Sequence, residues 1–411
     1  MILSKRLHTL EAFCFNQNLG FRKAQTQAVN QHRPFASSSR YDNGSGVVDE
    51  KTPDGNRLGG VGIIKGKGGG GAGIGNVFDK MLPSFIPSPK PLFQHCSNPK
   101  TVSIIGAPMT FGQPYVGTDH GPSFLRKAGL RSKLIALGWL VDDGPDLNFS
   151  AKALASPDDM VHPHAKNSSM IGRGTQILSQ IVEEKAMSGS FPLVLGGDHS
   201  IAIGTLSGIL RARPNTGVLW IDAHADLNIP DISESGNMHG MPVGLAIKEM
   251  GADYTMIPGF EWLGKEGTPM LAPNSIVYVG LRDVDMKERE AIRELGICAF
   301  TMSHIDRYGI GKVMDMAMTH LLAHDPNRPI HLSYDIDAVD PAIAPATGTA
   351  VRGGLTFREA HYVAEIVAAS GVLASAEIVE VNPTLSHDRG AHATVEFSLG
   401  LITSLLGKSI I

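Results

Sequence analysis

The chain is poor in cysteine, with only Cys14, Cys96 and Cys298 in 411 residues. Three thiols make neither a disulfide framework nor a thiolate metal site, which points to a reducing compartment. An excess of basic charge is also missing: 36 Lys and Arg stand against 40 Asp and Glu, for a formal net charge of -4. That balance argues against nucleic acid as the main partner. No apolar run reaches the roughly 18 to 20 residues that a membrane-spanning helix needs, so no membrane partner is expected. What is present is ordinary globular composition, 42% hydrophobic and 18% charged, with ample length for a large core.

The first forty residues differ from the rest. Lys5, Arg6, Arg22, Lys23, Arg33 and Arg40 face a single acid, Glu11, and Leu3, Leu7, Leu10 and Cys14 recur at helical spacing. An amphipathic, Arg-rich, acid-poor leader is the composition of a mitochondrial transit peptide, so residues 1–40 are expected to direct the chain to the matrix. The stretch RPFAS (33–37) resembles a processing site cut after Phe35. Residues 41–97 then read as a Gly- and Pro-rich linker without fixed structure. Its run GGVGIIKGKGGGGAGIGN (59–76) fits several phosphate-loop registers, but no strand precedes it and no Ser or Thr follows a Gly-Lys pair.

Residues 98–411 read as one folded domain. TVSIIGAP, FPLVLGG, TGVLWID, NSIVYVGL, PIHLSYDID and SAEIVEVNP are short apolar runs without polar alternation. Helical stretches separate them, among them SIAIGTLSGILRA, KEREAIRELG, GKVMDMAMTHLLAH and FREAHYVAEIVAAS. Strands of this kind alternating with helices predict an α/β domain whose parallel sheet is covered on both faces. Ligands of such sheets gather beyond the carboxyl ends of the strands.

Polar clusters lie where that rule asks for them. GGDHS ends one run, DAHAD the next and DID a later one, offering His199, Asp222, His224, Asp226, Asp335 and Asp337. Within DAHAD and DID the separation of two, in an extended chain, keeps each set on one face. Asp198 and Asp340 read instead as turn caps. Two carboxylates in one small volume repel each other unless a cation lies between them. Four carboxylates and two imidazoles exceed the four ligands of a closed tetrahedral zinc. They suit two divalent ions roughly 3.5 Å apart, which would share a water and lower its pKa toward neutrality. Oxygen-rich coordination with some imidazole favours Mn²⁺, with Zn²⁺, Fe²⁺ and Co²⁺ also compatible.

These motifs resemble those of the ureohydrolases, and of the arginases in particular. GGDHS, DAHADLN, SGNMHG and SYDIDAVDPAIAPATGT carry the resemblance, which continues through GAPMTFGQPYVGTDHGP (106–122), GLRDVD (280–285) and EIVEVNP (377–383). It implies a three-layer α/β/α fold with a central, mostly parallel sheet of about eight strands, two Mn²⁺ per subunit, and hydrolysis of L-arginine to L-ornithine and urea. It also implies a homotrimer or other homo-oligomer. Carried over by position, His199, Asp222, Asp226 and Asp335 serve one ion and Asp222, His224, Asp335 and Asp337 the other, with Asp222 and Asp335 as bridges. His239 becomes the proton shuttle beside them, a role suited to an imidazole that titrates near neutral pH. Glu380 is expected to pair with the guanidinium and Thr349 to help hold the reacting end. Asn228, Ser235 and Asn237 are expected at the α-carboxylate, and Asp285 at the α-amino group. The competing readings are agmatinase or another guanidino-substrate ureohydrolase, and a non-catalytic homologue. SGNMHG after DAHADLN favours arginase, because agmatine has no α-carboxylate to bind.

Overall fold

A computed structural model of the chain describes residues 92–97 and 99–408. The expected leader and most of the expected linker lie outside the described residues. The folded body reaches back past the boundary expected at 98: Phe93 is 2% exposed and packs edge-on against Trp139 at 4.8 Å and Phe191 at 5.9 Å.

Eight strands make one sheet: β1 (Thr101–Ala107), β2 (Leu140–Asp143), β3 (Phe191–Gly196), β4 (Gly217–Ile221), β5 (Ile276–Leu281), β6 (Cys298–Thr301), β7 (Ile330–Asp335) and β8 (Leu373–Val379). Every pairing is parallel, in the order β2-β1-β3-β8-β7-β4-β5-β6. The expectation of a mostly parallel sheet is thus sharpened to a wholly parallel one. All six apolar runs read from the sequence are strands. The two that escaped are the edges: β2 alternates exposed and half-buried residues, and β6 is only four residues long. An edge strand wets one face and half its backbone, so its sequence carries no continuous apolar run.

The inner strands are apolar throughout because both faces are covered. In β4, Leu219 and Ile221 enter one core while Val218 and Trp220 enter another. In β3, Leu193 and Leu195 face the first side and Val194 the other. The first side is covered by α1 (Gly121–Lys127), α2 (Leu130–Ala136) and, later in the chain, Val313, Val363 and Leu401. The opposite side is covered through α3 (Ala151–Leu154), α4 (Ser168–Met187), α5 (Ala202–Ala212) and α6 (Pro242–Ala246). α7 (Met286–Glu294), α8 (Met302–Leu321), α9 (Phe357–Ala369) and α10 (Asp388–Leu405) complete the layers. α8 begins earlier than the helix expected from residue 311, and Gly309 at φ 75° and ψ 152° interrupts it with a kink. No described helix is long and apolar enough to cross a membrane.

The chain skips two places between β3 and β4, and β7 and β8 later fill the gap. The carboxyl ends of these four central strands therefore stand side by side, where a parallel sheet opens its crevice.

Candidate metal centre and substrate rim

Each polar cluster sits just past one of those four ends. β3 stops at Gly196, and His199 opens a single 3-10 turn (His199–Ile201) that leads into α5. Asp198 caps that turn, accepting from Ser200 N at 3.0 Å and from Gly112 N at 2.8 Å, as the sequence reading asked of it. Asp340 likewise accepts from Ala342 N at 2.9 Å and Gly353 N at 2.7 Å. β7 ends at Asp335, whose Oδ1 accepts from Asp337 N at 2.7 Å and curls the chain so that both carboxylates turn inward.

The DAHAD segment needs a correction. Extended backbone would separate Asp222 from Asp226 by about 13 Å, too far for both to reach one ion. In the structure β4 ends at Ile221 and the following residues leave the strand conformation. Asp222 Oδ1 accepts from His224 N at 2.8 Å, and Asp226 takes a left-handed φ of 49°. The three side chains converge because the chain curls around the site, not because it runs straight past it. Glu380, directly after β8, is also left-handed, at φ 63°. Such backbone costs about 1 to 3 kcal/mol for a non-glycine residue and persists where its surroundings over-determine it.

The six expected ligands meet. His199 Nδ1 lies 3.2 Å from Asp222 Oδ2, 3.0 Å from Asp226 Oδ2 and 3.1 Å from Asp335 Oδ2. His224 Nδ1 lies 3.1 Å from Asp337 Oδ2 and 3.4 Å from Asp222 Oδ1. Asp222 thus turns one oxygen to each imidazole, as a bridge must. Candidate ligand atoms of His199, Asp222 and Asp226 fall within 4.8 Å of one another, and so do those of Asp222, His224 and Asp337. Asp335 is seen against His199; its second oxygen is taken by the Asp337 backbone.

The proton inventory says what these atoms are for. Ser333 Oγ lies 2.9 Å from His199 Nε2 and 2.7 Å from Glu377 Oε1. A hydroxyl carries one hydrogen, and the carboxylate takes it. His199 Nε2 is therefore the donor to Ser333, and its Nδ1 is turned to three carboxylates. Three carboxylates around one ring nitrogen call for positive charge, which a proton on Nδ1 or a metal cation would supply. Glu377 is wholly buried, with His331 Nε2 3.6 Å away, so the metal-facing histidine is backed by a buried carboxylate through one serine.

Charge tells the same story. Burial, and then Asp222, push the Asp226 carboxyl up to about 6. Burial, Asp337 and Asp222 push Asp335 well above the usual range. Burial disfavours the His199 cation, yet the three aspartates lift its pKa well above that of a free imidazole. Burial also works against the Asp222 anion, but His199 and His224 hold it below the usual range. Four acids in one dry volume compete for positive charge, which two dications would supply. The donor set fits such a pair.

His239 and Glu380 form the next layer. β8 delivers Glu380, 1% exposed, whose Oε1 accepts from His199 N at 2.9 Å and lies 3.5 Å from His239 Nδ1. Burial opposes charge on both, but the pairing raises the His239 pKa above 6.5 and lowers that of Glu380. Read without the resemblance, Glu380 would be a solvated strand-end acid; the structure buries it. Thr349 Oγ1 donates to Asp337 Oδ2 at 2.8 Å, which places it beside the second imidazole.

Of the four residues expected at the amino-acid end, the rim, Asn228, Ser235 and Asn237 lie on the loop after β4 that carries Asp222, His224 and Asp226, and Asp285 lies on the loop after β5. Asn228 follows Asp226 by two residues and donates to Asp285 Oδ2 at 3.2 Å. Asn237 precedes His239 by two, and its backbone N donates to Ser235 Oγ at 3.2 Å. Asp285 also opens α7 in a capping box with Glu288, so it has a structural duty besides the expected one. Glu288, 3% exposed, accepts from Asp285 N at 3.0 Å and Leu227 N at 2.9 Å, tying rim to metal loop.

Several supporting residues escaped the sequence reading. Trp220 stacks on His199 at 4.3 Å and donates from Nε1 to Asp222 Oδ2 at 3.0 Å. Its signal was present, since it stands two residues before Asp222 on a strand. Ser333, two before Asp335, carried the same signal. Glu288 and Lys166, whose Nζ donates to Asn237 Oδ1 at 3.2 Å, are brought in from segments with no motif of their own.

Comparison with known proteins agrees with this geometry. A family model described as the arginase family matches residues 100–407. Arginase-1 of Rattus norvegicus is 43% identical over 312 residues, covering 76% of this chain and 94% of the rat protein. The arginase of Glaciozyma antarctica (strain PI12) is 40% identical over 333 residues, 81% of this chain and 93% of its own. Among solved structures, the arginase from Bacillus caldovelox superposes with a TM-score of 0.69 at 36% identity, covering 76% of this chain and 100% of that one. A hypothetical agmatinase from Burkholderia thailandensis, at 23% identity and a TM-score of 0.54, shares the fold alone. The chain belongs to the arginase family.

Proposed function

We propose that this protein hydrolyses L-arginine to L-ornithine and urea with two Mn²⁺ ions held by His199, Asp222, His224, Asp226, Asp335 and Asp337. The observation that carries the reading is the division of Asp222, one oxygen to the His199 set and one to the His224 set. When bound, the ions supply the positive charge that the four buried aspartates lack and the acidity that ionises water near neutral pH.

The chain's own groups perform the rest. A guanidinium is planar, cationic and unreactive, so it must be oriented against the site. Glu380, held anionic by His239, offers it a carboxylate, and Thr349 hydroxyl stands near the reacting end. His239, whose protonated form Glu380 favours, is placed to return a proton to the departing amine of ornithine. Asn228, Ser235 and Asn237 receive the α-carboxylate and Asp285 the α-amino group. The family resemblance supports a homotrimer, and the basic, acid-poor first forty residues support residence in the mitochondrial matrix.

Purified protein loaded with Mn²⁺ should release urea from L-arginine and far less from agmatine. Urea from neither substrate, or preference for agmatine, overturns the reading.

A further inference from the structure

The motif GAPMTFGQPYVGTDHGP contains a glutamine for which the mechanism above has no use. Gln113 is 7% exposed, and its amide nitrogen donates to Glu380 Oε2. Its own oxygen, Oε1, is buried and has no hydrogen-bond partner. A buried amide oxygen left unpaired costs free energy unless something meets it.

The orientation of that amide is fixed. Turned over, it would set its oxygen against the Glu380 carboxylate, oxygen against oxygen. With the nitrogen on Glu380, Oε1 points at the loop that carries Thr349: a methyl group on Gly348 would run into it. The backbone beneath is equally constrained. Gly112 N donates to Asp198 Oδ2 at 2.8 Å, and Gly112 O accepts from His239 N at 3.1 Å. Asn167 Nδ2 donates to Phe111 O at 2.9 Å. Gly112, the residue before Gln113, is thus tied to the cap of the His199 turn on one side and to the His239 backbone on the other.

We propose that Gln113 is a substrate-binding residue, whose Oε1 accepts a hydrogen bond from the guanidinium while its amide nitrogen holds Glu380 in place. The two acceptors complement each other. A guanidinium presents five N–H donors in a plane and no acceptor. Glu380 meets it with charge, and Gln113 adds an acceptor without a second negative charge beside Glu380. This inference rests on the reading that the site hydrolyses L-arginine.

The test compares ligands with and without the guanidinium. In Gln113→Leu, loaded with Mn²⁺, kcat/KM for L-arginine should fall about 10- to 100-fold, mostly through KM, as expected for a lost bond to a charged group. The inhibition constant of L-ornithine, which has no guanidinium, should change by less than about 2-fold, and the thermal midpoint by no more than about 2 °C. Gln113→Met repeats the comparison should the leucine variant fail to fold. An unchanged kcat/KM, or a parallel loss of ornithine binding, overturns the assignment. A wild-type enzyme without activity on L-arginine fails the underlying reading instead, before any variant is measured.

Discussion

The metal basin and the substrate rim share the loop after β4 yet are built differently. The basin is drier: Asp222, Asp335, Asp337 and His199 are each at most 3% exposed and stand at or just past a central strand end, with His224 alone of the six half-buried. Its members are tied down, Asp222 twice, by Trp220 and His224 N, His199 by Ser333 and Asp335 by the Asp337 backbone. The rim is wet. Ser235, Asp285 and Lys166 are exposed and Asn237 half-buried, with only Asn228 buried, and the rim contacts are single hydrogen bonds of 3.2 Å. Ions demand fixed distances, and strand ends packed on both faces supply them. An α-carboxylate can be recognised through exposed side chains, where each bond is weaker and more replaceable. The difference assigns chemistry to the basin and discrimination between substrates to the rim.

The strongest way to break that division is Asp222→Asn. The substitution keeps the shape and one of the two accepted bonds, from Trp220 or from His224 N, but removes the charge shared by both imidazole sets. Metal analysis should fall from two ions per chain to one or none, with kcat down on the order of 10⁴-fold. Two retained ions with activity within tenfold of wild type would show that the basin is not organised around this bridge.

A second prediction tests the joint between the regions. Burial raises the Glu288 pKa from 4.5 to about 7 while it holds Leu227 N in the metal loop and Asp285 N at the rim. A carboxyl whose pKa rises on folding binds its proton more tightly in the folded state. Its contribution is therefore full below pH 4.5 and is lost as pH rises through 7. The loss amounts to about 3 kcal/mol by pH 8. Glu288→Gln has no such titration. In metal-free protein, the stability of wild type relative to this variant, from urea unfolding, should drop by about that amount between pH 4.5 and 8. A constant difference would place the joint in solvent.

How much of this was readable beforehand follows the same division. The basin was legible because a ligand set needs particular residue types, and His199, DAHAD and DID end apolar strands whose burial shows in composition. What was illegible there was geometry. Straight alternation in DAHAD gave the right residues for the wrong reason, since only the curl at Asp226 brings them to one point. The second layer was hidden further. Glu377 sits inside an apolar run that reads as core, and nothing local says that Ser333 of another strand will reach it. Rim residues were identified only through the family motif, because SGN by itself is the composition of a turn. Edge strands were missed because half-wet strands carry no long apolar run.

The gentlest prediction separates the regions most cleanly. Ser235 Oγ already accepts from Asn237 N, so its own hydrogen is the part left for a carboxylate. Ser235→Ala removes that donor from an exposed position without touching any ligand. KM for L-arginine should rise about 10-fold at nearly constant kcat, the size expected for one hydrogen bond to a charged group. L-Ornithine, which keeps the α-carboxylate, should lose affinity in parallel, while binding of agmatine, which lacks it, should not change. Equal losses for all three ligands would mean that the turn has collapsed onto His239, four residues on, and that rim and basin are one mechanical unit after all. KM for L-arginine and the binding of L-ornithine and agmatine, in wild type and variant, decide between a specificity device laid over the metal site and a single inseparable one.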